Sequence, residues 1–293
     1  MTELMHWSGR VSELSGALAV RRVLPAAVRR AVGPFVFFDH FGPVTLPADA
    51  DSDVGAHPHI GLATVTYLFE GSFLHRDSLG TLQAITPGAI NWMTAGRGIA
   101  HSERVTDAER GQPRRLHGLQ LWVALPPALE ETEPTFQHVA TSDIPAFTDA
   151  AGVQVRALVG EAFGHTSPVR TASPTVYLDV QLPPGATWVL PALVPELAAY
   201  SPTDSLTIDD QAVSAQQMVL LTAGATVRVR AGDAGARLVV IGGAPLEQPV
   251  GMWWNFVASD RSRIAAAATR WEQGGFPAIP GETERIPAPQ WVG

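Results

Sequence analysis

The 293-residue chain contains no cysteine and no lysine. Without cysteine there is neither a disulfide nor a thiolate ligand, so any metal must be held by nitrogen and oxygen. Without lysine, 20 arginines carry all the fixed positive charge, and the formal net charge is −8. The densest basic stretch, Arg21-Arg22 and Arg29-Arg30, is interleaved with Val, Leu and Ala. Direct nucleic-acid binding, which depends on neutralising phosphates, is not expected of such a chain. Nor is there an apolar run of about 18 residues, so no membrane-spanning helix is expected. The opening stretch MTELMHWSGRVSEL lacks a basic region followed by an apolar one. No signal peptide is therefore expected, and a cytoplasmic location is the default.

What is present in quantity is apolar residues, at 46%, and breakers, with 24 Pro and 27 Gly. Breakers spread along an apolar chain predict many short strands joined by turns. Strands are predicted over 18–24, 35–38, 62–69, 72–77, 81–85, 90–94 and 116–124, with a further strand entering His101. The run LATVTYLF at 62–69 places Ala63, Val65, Tyr67 and Phe69 on one face and Leu62, Thr64, Thr66 and Leu68 on the other. A second series is predicted over 153–159, 175–182, 186–190, 197–200, 204–208, 217–221, 225–230 and 236–241. Pro126-Pro127 and the acidic run Glu130-Glu131-Thr132-Glu133-Pro134 between the series read as a boundary and a solvated loop. Two such series suggest an all-β chain of two β-barrels, 1–135 and 136–293. One short helix is predicted near the end, capped by Ser259, closed by Gly274-Gly275, and striped with Ile264, Ala268 and Trp271. The aromatic cluster Trp253-Trp254-Asn255-Phe256 before it is expected in the core or at a domain junction.

Two short patterns carry the chemistry: His57-Pro58-His59 and His101-Ser102-Glu103. Residues i and i+2 of a strand point to one face. Two neighbouring strands of this kind would aim three imidazoles and one carboxylate at one point. A closed tetrahedral zinc site usually includes cysteine, whereas an N₃O shell with open positions suits Fe(II), Mn(II), Ni(II) or Cu(II). Pro58 cannot donate to a ladder and predicts a strand at a sheet edge or a bulge. His75-Arg76-Asp77 repeats the i, i+2 spacing. His75 reads first as an outward polar residue and second as a supporting partner of the site. His40, in the segment Phe37 to Pro43, is assigned to a pocket rim. His165 is the single histidine of the second series, which confines metal chemistry to the first half.

The segments His57-Pro58-His59-Ile60-Gly61, His75-Arg76-Asp77-Ser78-Leu79-Gly80 and Trp92 through Glu103 resemble the pirin family, as does the run from Gly33-Pro34-Phe35 to Asp39-His40-Phe41-Gly42-Pro43. The matching motifs lie within about residues 33–123. The resemblance implies a bicupin, with two cupin-type β-barrel domains, an N-terminal metal-binding domain (1–135) and a C-terminal domain without metal (136–293) that carries the helix. It implies His57, His59, His101 and Glu103 as ligands of one divalent transition metal. Iron(II) is the expected ion, with Mn, Ni, Cu or Zn as alternatives. Some pirins are quercetin 2,3-dioxygenases, which open a flavonol with O₂ and release carbon monoxide. The expected substrates are therefore a flavonol or other chelating enol together with O₂, with Glu103 as general base. Phe37, Asp39, His40, Phe41, His75 and Met93 are assigned to the substrate pocket. Other pirins act as regulatory proteins, so the alternative is a metal-dependent redox or ligand sensor that works through a protein partner. Two positions depart from the family pattern. Ala89 stands where an aspartate is common, and Asn91 where a glutamine is.

Overall fold

The computed structural model describes residues 3–15 and 18–291. The chain forms two compact units, and neither is continuous in sequence. One comprises Val11–Val20, Asp39–Thr141 and Leu246–Gly293, and the other Met1–Arg10, Arg21–Phe38 and Ser142–Pro245. The expected consecutive division at residue 135 differs from these units chiefly at the C-terminus. Residues 246–293, including the helix, pack with the first strand series instead of the second. The cause is apolar burial: Ile264, Ala268 and Trp271 join Ala56, Ile60 and Ala100 in one core.

The unit with the histidine pairs has a large and a small antiparallel sheet. The large sheet runs, in spatial order, Thr135–Val139, Ile90–Thr94, Leu62–Glu70, Arg114–Ala124, Phe35–Leu46, Leu18–Leu24 and Arg10–Ser15. The small one runs Val54–His59, Ile99–Arg104, Phe73–Asp77 and Leu82–Ile85. Leu68, Phe41 and Leu116 of the large sheet meet Phe73 and Ile85 of the small one in a shared core. The sheets are separate rather than closed into the barrels expected from sequence, an arrangement that fits the cupin fold. Strand Leu62–Glu70 is buried on both faces along nearly its whole length.

The other unit repeats the plan. Its large sheet contains Thr175–Leu182, Glu196–Tyr200 and Ala236–Gly243, and its small sheet Thr187–Leu190, Val227–Ala231, Leu206–Ile208 and Gln211–Val213. Here the small sheet turns Trp188, Leu190, Leu206, Ile208, Val227 and Val229 into the core. Apolar side chains thus fill the space between the sheets of this unit.

The one α-helix among the described residues, Arg261–Glu272, begins one residue later than predicted. Asp260 is its cap, accepting from the Ser262 N–H, while Ser259 is held elsewhere. No helix among the described residues is long and apolar enough to cross a membrane.

Candidate metal centre

Strand Val54–His59 is an edge of its sheet, the position that Pro58 favours. It pairs antiparallel with Ile99–Arg104, His57 opposite His101 and Pro58 opposite Ala100. Gly61 follows the first pair at φ +69°, where a Cβ would stand 1.9 Å from the Val257 carbonyl oxygen. Gly96 precedes the second at φ +51°, where a Cβ would stand 2.0 Å from that of Thr132. Only glycine fits either turn, so both histidine-bearing strands enter the site on a fixed path.

The third neighbour, Phe73–Asp77, completes the pattern. Asp77 lies opposite His101, and His75 opposite Glu103. Three adjacent strands therefore present three i, i+2 pairs on one face: His57 and His59, His101 and Glu103, His75 and Asp77. The large sheet answers with Thr64, Thr66, Gln120, Trp122 and Met93, which share a face through the registers Thr64–Trp122, Thr66–Gln120 and Thr64–Met93. Trp122 packs edge-on at 5.2 Å from His59, and Phe136 stacks on His75 at 4.5 Å.

His57, His59 and His101 are buried and each offers a ligand atom within 4.8 Å of the other two. His57 Nδ1 donates to the Gly55 carbonyl at 2.8 Å, and His59 Nδ1 to that of Asn255 at 3.0 Å. Both backbone bonds fix the tautomer and leave Nε2 with its lone pair. The Nε2 atoms of His59 and His101 stand 3.1 Å apart. Two imidazoles bound to one ion at about 2.1 Å each have nitrogens about this far apart. Burial lowers the His57 pKa to about 4, and burial followed by the neighbouring imidazoles holds His59 and His101 well below the usual range. Neutral imidazoles are the ligating form, so the donor set fits a borderline divalent metal. His101 Nδ1 is buried without a partner.

Glu103 lies on the same strand face but outside the tight trio, because the ladder slips between His101 and Glu103. Burial raises its pKa, partly offset by the charge of His75 and the Thr66 hydroxyl. Thr66 Oγ1 lies 3.4 Å from Glu103 Oε1 and 2.9 Å from Gln120 Oε1. One hydroxyl proton serves one acceptor, so the shorter bond to Gln120 takes it unless the Gln120 amide is turned over.

His75 is a correction. It is buried and inward-facing, not an outward polar residue. Its Nε2 bonds Asp77 Oδ2 at 3.0 Å, and its ring is 5.2 Å from that of His101. Burial pushes the Asp77 carboxyl up, but hydrogen bonds from His75 and Thr81 outweigh that and hold it low. His40 is a second correction. It faces His117, with Nε2 atoms 2.9 Å apart, and the His117 ring lies 4.6 Å from Phe69. Phe69 is out of phase with Thr66 and Leu68, which puts His40 on the far face of the large sheet from the trio. Phe41 packs with Leu68 and Phe73 in the core, and Asp39 shares its strand face by alternation and is buried. Phe37 lies in the first part of strand Phe35–Leu46, up to Phe38, that belongs to the other unit, under the Arg22 guanidinium at 4.4 Å. Met93 does face the site, in a small cluster with Ala95, Ile99 and Phe136.

Asn255 carries no sequence signal for a site, since it acts through its backbone oxygen. Trp122, Phe136, Thr66 and Gln120 are likewise visible only through register. Asn91, the departure noted above, accepts from His138 Nδ1 at 2.7 Å, and Ala89 sits in a turn bonded to the Thr86 carbonyl.

Two β-units of one plan, one holding clustered imidazoles between its sheets and the other filled with apolar side chains, define a bicupin. Residues 17–123 match the pirin family and residues 177–277 the pirin C-terminal cupin domain. The chain belongs to the pirin family. It is 42% identical to a "Pirin-like protein" of Caulobacter vibrioides over 88% of this chain and 90% of that one. It is 36% identical to a protein of Pseudomonas aeruginosa named "Putative quercetin 2,3-dioxygenase", over 92% of this chain and 84% of that one. The crystal structure of a quercetin 2,3-dioxygenase from Acinetobacter baumannii superposes with a TM-score of 0.91 at 34% identity, covering 99% of this chain and 96% of the other.

Proposed function

We propose that the chain is a metal-dependent dioxygenase of the quercetin 2,3-dioxygenase type, opening a flavonol ring with O₂ and releasing carbon monoxide. The observation that carries this reading is the trio of buried, neutral imidazoles with ligand atoms within 4.8 Å of one another, beside a carboxylate on the same sheet face. His57, His59, His101 and Glu103 would hold one divalent transition metal, with iron(II) as the resident ion. Bound there, the ion supplies Lewis acidity toward a chelating enol such as the 3-hydroxyl and 4-carbonyl pair of a flavonol. Burial raises Glu103, which makes its carboxylate a better proton acceptor near neutrality. We assign it the 3-hydroxyl proton. Trp122, Met93 and Phe136 give the site apolar walls suited to a flat aromatic substrate, and such walls keep water from the reacting face. The likeness to proteins named as quercetin 2,3-dioxygenases supports the same reading.

The test is aerobic turnover of quercetin by the iron-loaded protein, followed by loss of the flavonol absorbance and by carbon monoxide release. Both are expected, and His59→Ala should abolish both. A fully metal-loaded protein that does neither, but retains a protein partner only when metal is bound, would move the assignment to a regulatory role.

A further inference from the structure

The segment from Gly281 to Ile286 lies across the outer face of the small sheet. It touches all three strands that carry the i, i+2 pairs, and each touch falls beside a pair. Ser102, fully buried between His101 and Glu103, donates its hydroxyl to Glu282 Oε1 at 2.7 Å. Arg104, just past Glu103, donates Nε to the same oxygen at 3.0 Å and Nη2 to Oε2. Ile286 N donates to the carbonyl of Ala56, next to His57, at 2.8 Å. Gly281 lies against Arg76, between His75 and Asp77, so closely that a Cβ would meet its Nη1 at 2.6 Å. Trp271 Nε1 donates to the Ile286 carbonyl at 2.9 Å and ties the segment to the helix.

The need for such a strap is set by the sheet. The ladder slips between His101 and Glu103, where Ser102 has no partner on strand Val54–His59. On its other side the strand keeps register with Phe73–Asp77, Ser102 opposite Arg76, so the irregularity is confined to the pairing between the two strands that carry His57 and His101. The bonds from Ser102 and Arg104 to Glu282 add a hold beside the broken ladder, on a strand whose other edge is paired with Phe73–Asp77.

We propose that Glu282 is a positioning residue of the metal centre, fixing the strand that carries His101 and Glu103, and that metal binding and docking of the 281–286 segment are one coupled equilibrium. The inference rests on the reading of His57, His59, His101 and Glu103 as metal ligands. Coupling of this kind is reciprocal: what tightens the metal is tightened by it.

Cobalt(II), which reports its coordination in the visible spectrum, is the probe, used with the full-length protein. Affinity is measured by competition with a chelator, and amide exchange is followed across residues 281–286. Glu282→Ala should weaken cobalt(II) binding by about tenfold or more, the usual loss when a group behind a ligand is removed, and should alter the cobalt(II) spectrum. Glu282→Gln keeps an acceptor for Ser102 and should recover part of the affinity. Cobalt(II) should slow exchange across 281–286 in the wild type and fail to do so in Glu282→Ala. Should Glu282→Ala not fold, Ser102→Ala removes one bond only, and a smaller change in the same direction is expected. Unchanged affinity and spectrum in the variant, or unchanged exchange in the wild type on adding cobalt(II), overturns the proposal. Wild-type protein that takes up no cobalt(II) overturns the metal reading itself, and this inference with it.

Discussion

At the scale of single residues, burial decides what the site can do. An exposed imidazole is half protonated near pH 6.5, whereas His57, buried between sheets, stays neutral down to about pH 4. That lowered pKa has a cost in acid. The unfolded chain binds the proton as pH falls below about 6.5 while the folded chain refuses it, so stability is full above that pH and drains toward pH 4. From His57 alone the loss is about 3 kcal/mol at full titration, with His59 and His101 adding in the same direction. Glu103 works the opposite way. Its raised pKa favours the protonated fold, and that contribution is lost as pH rises through the folded value. The metal-free protein should therefore lose thermal stability between pH 6.5 and 4 with a proton uptake on unfolding, read by calorimetry in two buffers. His57→Gln should flatten that slope. A slope unchanged by the substitution would assign the acid limb to other groups.

At the scale of elements, the acidic run after Pro126-Pro127 shows why a charge pattern misleads when its partner is distant in sequence. Glu130 reads as solvated, yet it is buried. Its carboxylate accepts the Ser259 N–H at 2.7 Å, the Ser259 hydroxyl at 3.1 Å and Arg263 Nη1 at 2.5 Å. It thereby pins the turn into helix Arg261–Glu272, whose apolar face covers the outer side of the sheet that carries His57, His59 and His101. Only Glu131 and Glu133 behave as solvated charges, the latter paired with an exposed Arg97. Glu130→Ala leaves the Ser259 amide and Arg263 Nη1 without their acceptor. The Arg263 side chain is 35% exposed and regains water, so the expected loss is about 1–3 kcal/mol. A lowered thermal midpoint should show it, while Glu131→Ala should leave the midpoint in place.

At the scale of the whole molecule, one architectural plan is used twice with opposite filling. Where the first unit turns imidazoles and carboxylates between its sheets, the second turns Trp188, Ile208 and Val229 there. Metal binding should consequently stabilise one unit and leave the other untouched. Removing the ion with a chelator should lower the thermal midpoint, and restoring free metal at about 100 times its dissociation constant should return about 2.7 kcal/mol. Amide exchange should place the gain in Asp39–Thr141 and Leu246–Gly293. Equal protection of Ser142–Pro245 would contradict that division.

The sequence by itself determined the strand-rich character, the absence of any thiolate sulfur donor from a metal site, and the imidazole trio. All of these are local. Strand period places His57 with His59 and His101 with Glu103, and the missing cysteine removes the sulfur alternative. Glycine and proline told which turns bound those strands for the same reason. What only the tertiary structure decided depends on register and on contacts across long stretches of chain. The third pair, His75 and Asp77, turns inward because its strand docks beside Ile99–Arg104 with Asp77 opposite His101. His40 turns away because its place in strand Phe35–Leu46 puts it against His117 on the far face. Asn255, Trp122 and Glu282 enter the reading through a backbone oxygen, a cross-strand neighbour and a bond spanning 180 residues. No pattern along the chain encodes such contacts, because they are fixed only when the apolar faces close on one another.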